Sequence, residues 1–304
     1  MPIQTPVAFI IFNRPDATNR VFEAIRQARP HTLLVIADGA RSNKIGEIEK
    51  CAATRAIIDK VDWPCDIRTN YSNINLGCGK RVSSGLDWVF QEVEEAIILE
   101  DDCVPDPTFF QFCDELLEYY RYDNRITSIS GNNFEMGRKD SDSSYYFSRY
   151  NHVWGWASWR RAWTHYDFTI AKWPDIRDGK FLNGVLDGGE SVRYWTEVFN
   201  QVYKGKIDTW DYQWLFTCWS QNGLTILPEV NLISNIGFGS DATHTTEVSP
   251  FSNLPVEAVN FPLVHPQFIM RNADIDRLTH KKICKVTMLS NIKIILKSIL
   301  ANTG

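Results

Sequence analysis

Ala96-Ile97-Ile98-Leu99-Glu100-Asp101-Asp102 is a short apolar run that stops abruptly on three adjacent carboxylates. A run of this length and composition reads as a strand buried on both faces of a parallel sheet. Val7-Ala8-Phe9-Ile10-Ile11-Phe12 and Leu33-Leu34-Val35-Ile36-Ala37 have the same character upstream, ending at Asn13-Arg14-Pro15-Asp16 and at Asp38-Gly39. Helical spacing follows each: Val21, Phe22 and Ile25 after the first, started by Pro15 and Asp16, and residues 45–58 after the second. A further unit runs from Cys65 through Asn75-Leu76-Gly77 into a helix with Val82, Leu86, Val89, Phe90 and Val93 on one side. Beyond the acidic triplet, Pro105 and Pro107 open a helix holding Phe109, Phe110, Phe112, Leu116 and Leu117. Strands alternating with helices through short loops predict an α/β fold, a mixed and mostly parallel sheet flanked by helices. Ligands of such sheets lie at the carboxyl ends of the strands, the edge that carries Arg14, Asp38 and the acidic triplet.

The second half reads less clearly. Two helical patterns recur between 190 and 221, Leu224 to Pro228 reads as a strand, and the polar residues 137–150 read as a mobile loop between two halves. Nine of the 11 Trp (Trp154, Trp156, Trp159, Trp163, Trp173, Trp195, Trp210, Trp214, Trp219) fall between 154 and 219. Trp159 and Trp163 are spaced as a helix core stripe. Trp154 and Trp156, flanking Gly155, offer aromatic faces that suit the C–H faces of sugars.

The chain of 304 residues carries a formal net charge of -5, which supplies no basic field for nucleic acid. The seven Cys form no CxxC pair and no secretory leader precedes the first strand, so reduced thiols and a cytoplasmic location are expected. Residues 280–304 hold five Lys and no acidic residue among regularly spaced apolar positions. They read as a basic amphipathic helix that lies on an anionic membrane surface or packs on the protein or a second chain.

Three carboxylates at one strand end concentrate negative charge, and a hard divalent cation, Mg²⁺ or Mn²⁺, is their natural partner. A solvated acidic turn is the alternative. Lys80 and Arg81 open the helix after Gly77-Cys78-Gly79, and with Arg14 and that helix N-terminus they would make a rim for a diphosphate. No GxGxxG and no GxxxxGK[ST] is present. His244, in a Gly-, Ser- and Thr-rich loop, is a candidate metal ligand or diphosphate contact, with a surface histidine as the alternative.

Glu100-Asp101-Asp102 followed by a Pro- and Phe-containing helix, Arg14 after the first strand, Asp38 after the second and the Asn75-Leu76-Gly77 turn together resemble the GT-A glycosyltransferases, in detail the N-acetylglucosaminyltransferase I type. Thr209-Trp210-Asp211-Tyr212-Gln213-Trp214 is similar to that family's Trp-Asp-Asp-Trp segment, with Tyr212 replacing its second Asp. The likeness spans roughly residues 5–250. It implies an inverting, metal-dependent transferase that moves a sugar from a nucleoside-diphosphate sugar, a UDP-sugar by expectation, to a saccharide or glycoconjugate hydroxyl. By the same resemblance Asp102 holds the metal, Glu100 and Asp101 contact the sugar and ribose, and Arg14, Asp38 and Lys80 or Arg81 bind the nucleotide. Asp211 is the general base. Trp154, Gly155, Trp156 and Trp210 are placed at the acceptor or sugar, so that residues 1–135 bind the donor, 136–265 the acceptor, and 266–304 form a basic extension. A sugar-1-phosphate nucleotidyltransferase has a similar sheet, but Asn13-Arg14-Pro15 is too short for its Gly-rich loop. A carbohydrate-binding module with a vestigial site is the non-enzymatic alternative.

Overall fold

The computed structural model describes residues 2–135, 142–238 and 251–284. The chain opens with β1 (Val7–Ile11), α1 (Pro15–Ala28), β2 (Thr32–Ala37), α2 (Glu47–Arg55), β3 (Asp66–Tyr71), α3 (Cys78–Glu92), β4 (Glu95–Glu100), β5 (Cys103–Pro105) and α4 (Thr108–Tyr119). There follow β6 (Ile126–Ser130), β7 (Tyr145–Ser148), β8 (Trp156–Trp159), α5 (Arg160–Trp163), α6 (Trp173–Asp178), α7 (Leu182–Val185), α8 (Gly189–Tyr203), α9 (Asp211–Ser220), β9 (Leu224–Pro228) and β10 (Ile233–Asn235).

Eight strands form one sheet in the order β3-β2-β1-β4-β8-β6-β9-β7, and β10 pairs with β5 in a separate ribbon. β3, β2, β1 and β4 run parallel; β8 runs antiparallel to both β4 and β6. The mixed, mostly parallel α/β sheet expected from the apolar runs is therefore what forms. Burial on both faces accounts for those runs. Val7, Phe9 and Ile11 of β1 pack with Val21, Phe22 and Phe112 on one side, while Ala8 and Ile10 pack with Val82, Leu86 and Trp214 on the other. Register then delivers the chemistry to one edge. Ile10 lies beside Glu100, Ile11 beside Ala37, and Ile98 beside Trp156 at the start of β8.

The structure corrects the reading of residues 137–150. Tyr145–Ser148 is not a loop but a strand buried at all four positions, closing the sheet against β9. Tyr145 is held by its hydroxyl, 2.7 Å from Tyr120 and 2.8 Å from His265 Nδ1. Trp159 ends a strand rather than joining Trp163 on a helix, although both are core residues.

The tryptophans also read differently in three dimensions. Eight of the nine between 154 and 219 are at most 5% exposed. Trp156, Trp163, Trp210 and Trp214 fill the layer between the sheet and the helices α3 and α9, with Trp156 and Trp210 stacked at 5.6 Å. Trp173, Trp195 and Trp219 join Phe199, Phe216 and Tyr150 in a separate core among α6, α8 and α9. Trp156 and Trp210, expected at the acceptor, are thus packing residues whose faces are covered by other rings. Trp154 alone of the four proposed sugar contacts keeps an aromatic face at a pocket. Gly155 lies between, with φ of 66°, and a Cβ there would stand 2.4 Å from Ile233 Cδ1; its backbone approaches β10 rather than a ligand.

Residues 273–284 are helical and lie on the body of the protein. Asp276, 2% exposed, accepts from Ser148 Oγ at 2.6 Å and Arg149 Nε at 3.1 Å. Residues 285–304, most of the basic amphipathic stretch, lie outside the described residues, as does His244. All seven cysteines are free, and among the described residues no helix is long and apolar enough to cross a membrane.

Removing a fully buried indole leaves a cavity that neighbouring rings cannot fill. Trp156→Ala is expected to cost about 3–5 kcal/mol in urea unfolding, and Trp154→Ala about 1 kcal/mol. Equal losses would place Trp154 in the core as well.

Candidate functional site

A pocket of about 400 Å³ opens at the carboxyl ends of β1, β2 and β4. Arg14 is its electrostatic centre. Its Nη2 donates to Asp101 Oδ1 and lies 2.9 Å from Asp102 Oδ2, so one guanidinium joins two of the three carboxylates. Pro15 at the start of α1 makes the connection from β1 only three residues long, which places Arg14 against the end of neighbouring β4. Asp101, 4% exposed, also accepts the Phe12 N–H at 3.3 Å. Burial raises Asp101 above the usual carboxylate range against the pull of Arg14. Burial, then the charges of Asp102 and Asp101, push Glu100 up further. Fully ionised, the three carboxylates outnumber the one guanidinium, and the upward shifts mean that protons offset part of that excess when no cation is bound.

Asp38 forms the opposite wall with a carboxylate whose lone pairs are largely spent. It accepts the N–H groups of Gly39 at 2.9 Å, Leu76 at 3.0 Å and Gly77 at 3.2 Å, and Asn75 Nδ2 at 3.0 Å. Its structural work is to fix the 75–77 turn, and hence the entry into α3. Burial raises its pKa while those backbone donors oppose the rise. Of the two basic residues on α3, Arg81 reaches the pocket and Lys80 does not line it. Arg81 is buried, with Nη2 2.7 Å from both the carbonyl and the side-chain oxygen of Asn70. Burial pulls its pKa down, with Asp38 opposing.

Two charged pocket residues were missed from sequence. Arg41 lines the pocket, its guanidinium held by Glu47 and lying 5.5 Å from the Phe12 ring centroid. Its signal was there to read, because it follows the end of β2 much as Arg14 follows β1. Asp208 also lines the pocket and accepts the Gly79 N–H at 3.0 Å. A Cβ on Gly77 or Gly79 would stand 2.9 Å or 2.7 Å from the Asp208 carboxylate. The N-terminus of α3, expected to help cradle a diphosphate, is therefore already faced by a carboxylate from 129 residues away. Asp211 sits one turn on, as the first residue of α9, and accepts from Thr209 Oγ1. It does not line the pocket, yet its charge is among those that raise Glu100 and Cys78, which do.

The third wall is aromatic. Trp154 and Phe238 line the pocket with ring centroids 5.6 Å apart, and Phe134 meets Trp154 at 5.4 Å and His152 at 4.4 Å. Burial drives His152 down to about 3, so this wall carries no charge near neutrality. Gly237 closes over the acidic end, with a hydrogen bond of 2.8 Å from its N–H to Asn235 Oδ1. A Cβ on Gly237 would stand 1.9 Å from Asp102 Oδ2 and 2.8 Å from Arg14 Nη1.

The donors present fit a divalent cation shared with a substrate. Asp102, its side chain 14% exposed, offers hard oxygen to the pocket. Among the described residues no group of three His, Cys, Asp or Glu side chains gathers into a protein-only cage. One carboxylate completed by phosphate oxygens and water is a common arrangement for Mg²⁺.

No protein-family model and no curated protein matches the chain. Among solved structures, a cytidylyltransferase from Leptospira borgpetersenii serovar Hardjo-bovis (strain JB197) is similar over 57% of this chain and 68% of its own, at 12% identity and a TM-score of 0.35.

Gly237→Ala tests the cradle directly. The variant is expected to fold as the wild type by circular dichroism, and whatever affinity the wild type shows for Mn²⁺ by calorimetry should fall at least about tenfold, about the cost of losing one charge-assisted contact. Unchanged affinity would separate Gly237 and Asp102 from the ligand.

Proposed function

We propose that the protein is an inverting, cation-dependent glycosyltransferase that takes its sugar from a nucleoside-diphosphate sugar of the UDP type and gives it to a saccharide or glycoconjugate hydroxyl. The observation that carries this reading is one pocket with an excess of carboxylate at the end of β4, arginines after β1 and β2 and a buried one on α3, and an uncharged aromatic wall. The motif resemblance supports it from the sequence.

Asp102 would hold the cation, which when bound stabilises negative charge on the leaving diphosphate as a Lewis acid. Arg14 restrains Asp101 and Asp102 in place, so the carboxylates are set before ligand arrives. Arg41 and Arg81, on the Asp38 side, face the nucleotide end of the donor, and the Trp154 ring offers its apolar face to a sugar. The acceptor oxygen attacks the anomeric carbon, the bond to the diphosphate oxygen breaks with its electron pair, and the acceptor proton passes to a carboxylate. Asp211 is assigned that proton, with Asp208 the other carboxylate on the same side. No protein nucleophile intervenes, so the anomeric configuration inverts.

Release of UDP from UDP-sugars with and without Mn²⁺ is the test. Mn²⁺-dependent release lost in Asp102→Ala is the expected result. Asp211→Asn should slow it by about 10²–10⁴-fold, the usual contribution of a general base. A loss within tenfold there, with a larger one in Asp208→Asn, would move the base to Asp208. Pyrophosphate release from a nucleoside triphosphate and a sugar 1-phosphate, with no nucleoside diphosphate formed, would replace the reading with nucleotidyl transfer. Sugar binding without turnover would leave a binding module.

A further inference from the structure

The aromatic wall is held from an unexpected direction. Lys282, on the helical residues 273–284, donates from Nζ to the Phe134 carbonyl at 2.7 Å and to Glu135 Oε2 at 2.8 Å. Glu135 is 7% exposed and among the described residues its Oε1 is buried without a hydrogen-bond partner, so the ammonium compensates this carboxylate. The segment it grips is anchored on its other side by Asn133, whose Nδ2 donates to Pro228 O and Glu229 O at 2.8 Å each and whose N–H donates to Asn231 Oδ1 at 3.1 Å. Phe134 sits between these two anchors. Its ring touches His152, Trp154 and Phe251, and Trp154 in turn packs on Phe238 at the pocket.

The helix that supplies Lys282 is itself tied down. Asp276 is buried against Arg149 and Ser148, and His280 meets the Tyr194 ring at 5.8 Å. A continuous path of contacts therefore runs from this helix through Lys282 to Phe134, and from Phe134 to the ring that faces the pocket.

We propose that Lys282 is a positioning residue for the sugar- and acceptor-facing wall, acting through Phe134 on Trp154. The pocket's use of that wall rests on the glycosyltransferase reading; the mechanical link does not. Among the described residues the hydrogen bonds of Lys282 go to Phe134 and Glu135, neither of which lines the pocket, so a purely local role would leave residues 152–155 undisturbed when it is removed.

Amide hydrogen exchange on the full chain separates the two. Lys282→Met keeps most of the side-chain stem and removes the charge. Exchange is expected to rise at least about tenfold both at residues 133–135 and at residues 152–155, the scale set by losing a charge-assisted hydrogen bond. Lys282→Arg, which can reach both acceptors, should restore wild-type exchange in both segments. A rise confined to residues 133–135, no rise at all, or no rescue by arginine would overturn the proposal. Where the wild type releases UDP from a UDP-sugar, Lys282→Met should lower kcat while the affinity for UDP itself stays unchanged by calorimetry. Equal loss of UDP affinity would contradict a role limited to the aromatic wall. Absence of UDP release from the wild type would remove the functional reading and leave the exchange experiment to judge the link.

Discussion

Arg14 stands between Asp101 and Asp102, and the arrangement of the pocket depends on that contact. A parallel sheet brings the ends of β1 and β4 side by side, which would set three carboxylates against one another with nothing to balance them. The short connection into α1 places a guanidinium there instead. Breaking such a buried pair leaves a stranded charge and is costly, while keeping it fixes where the remaining carboxylate of Asp102 points. The surplus of carboxylate at this strand end is the ground for the proposed cation; a diphosphate would be held through that cation and the arginines, since the carboxylates themselves repel it, in a pocket with a polar floor and an aromatic side.

Aromatic residues do two different jobs in this chain. Most of the tryptophans are structural: they fill the layer between the sheet and the helices α3 and α9 and a separate core among α6, α8 and α9, where a large ring covers more space than any aliphatic side chain. Trp154 differs because Gly155, at positive φ, turns the chain just before β8 and leaves the ring outside the layer that covers Trp156. A compositional peculiarity that reads as a sugar-binding surface is, for the most part, the means by which the second half of the chain builds its core.

That distinction marks what could be read in advance. β1, β2 and β4 were legible because strands buried on both faces are continuous apolar runs, and their polar stops located the edge that carries Arg14, Asp38 and Asp102. β6 and β7 were not, since Ile126-Thr127-Ser128-Ile129-Ser130 and Tyr145-Tyr146-Phe147-Ser148 mix small polar and aromatic residues and gain their burial only from partners distant in sequence, β8 and β9 for β6 and β9 for β7. Contacts that cross the chain were equally hidden. Neither Asp208 against Gly79 nor Lys282 against Phe134 leaves a spacing in the sequence, because each is made by two elements that meet only after the sheet has formed. Trp156 and Trp210 were misread for a related reason: residue type shows that a ring can stack on a sugar, but only packing shows whether its face is already covered.

The central claim is that this sheet edge binds a nucleoside diphosphate together with a divalent cation on Asp102. Crystals grown with Mn²⁺ and UDP, with data collected to record the anomalous signal of manganese, examine it most directly. The account predicts an anomalous peak bonded to the Asp102 carboxylate and to diphosphate oxygens, with the nucleoside lying toward Asp38 and Arg81. A nucleotide bound elsewhere, or one seated in the pocket with no manganese at Asp102, would contradict it.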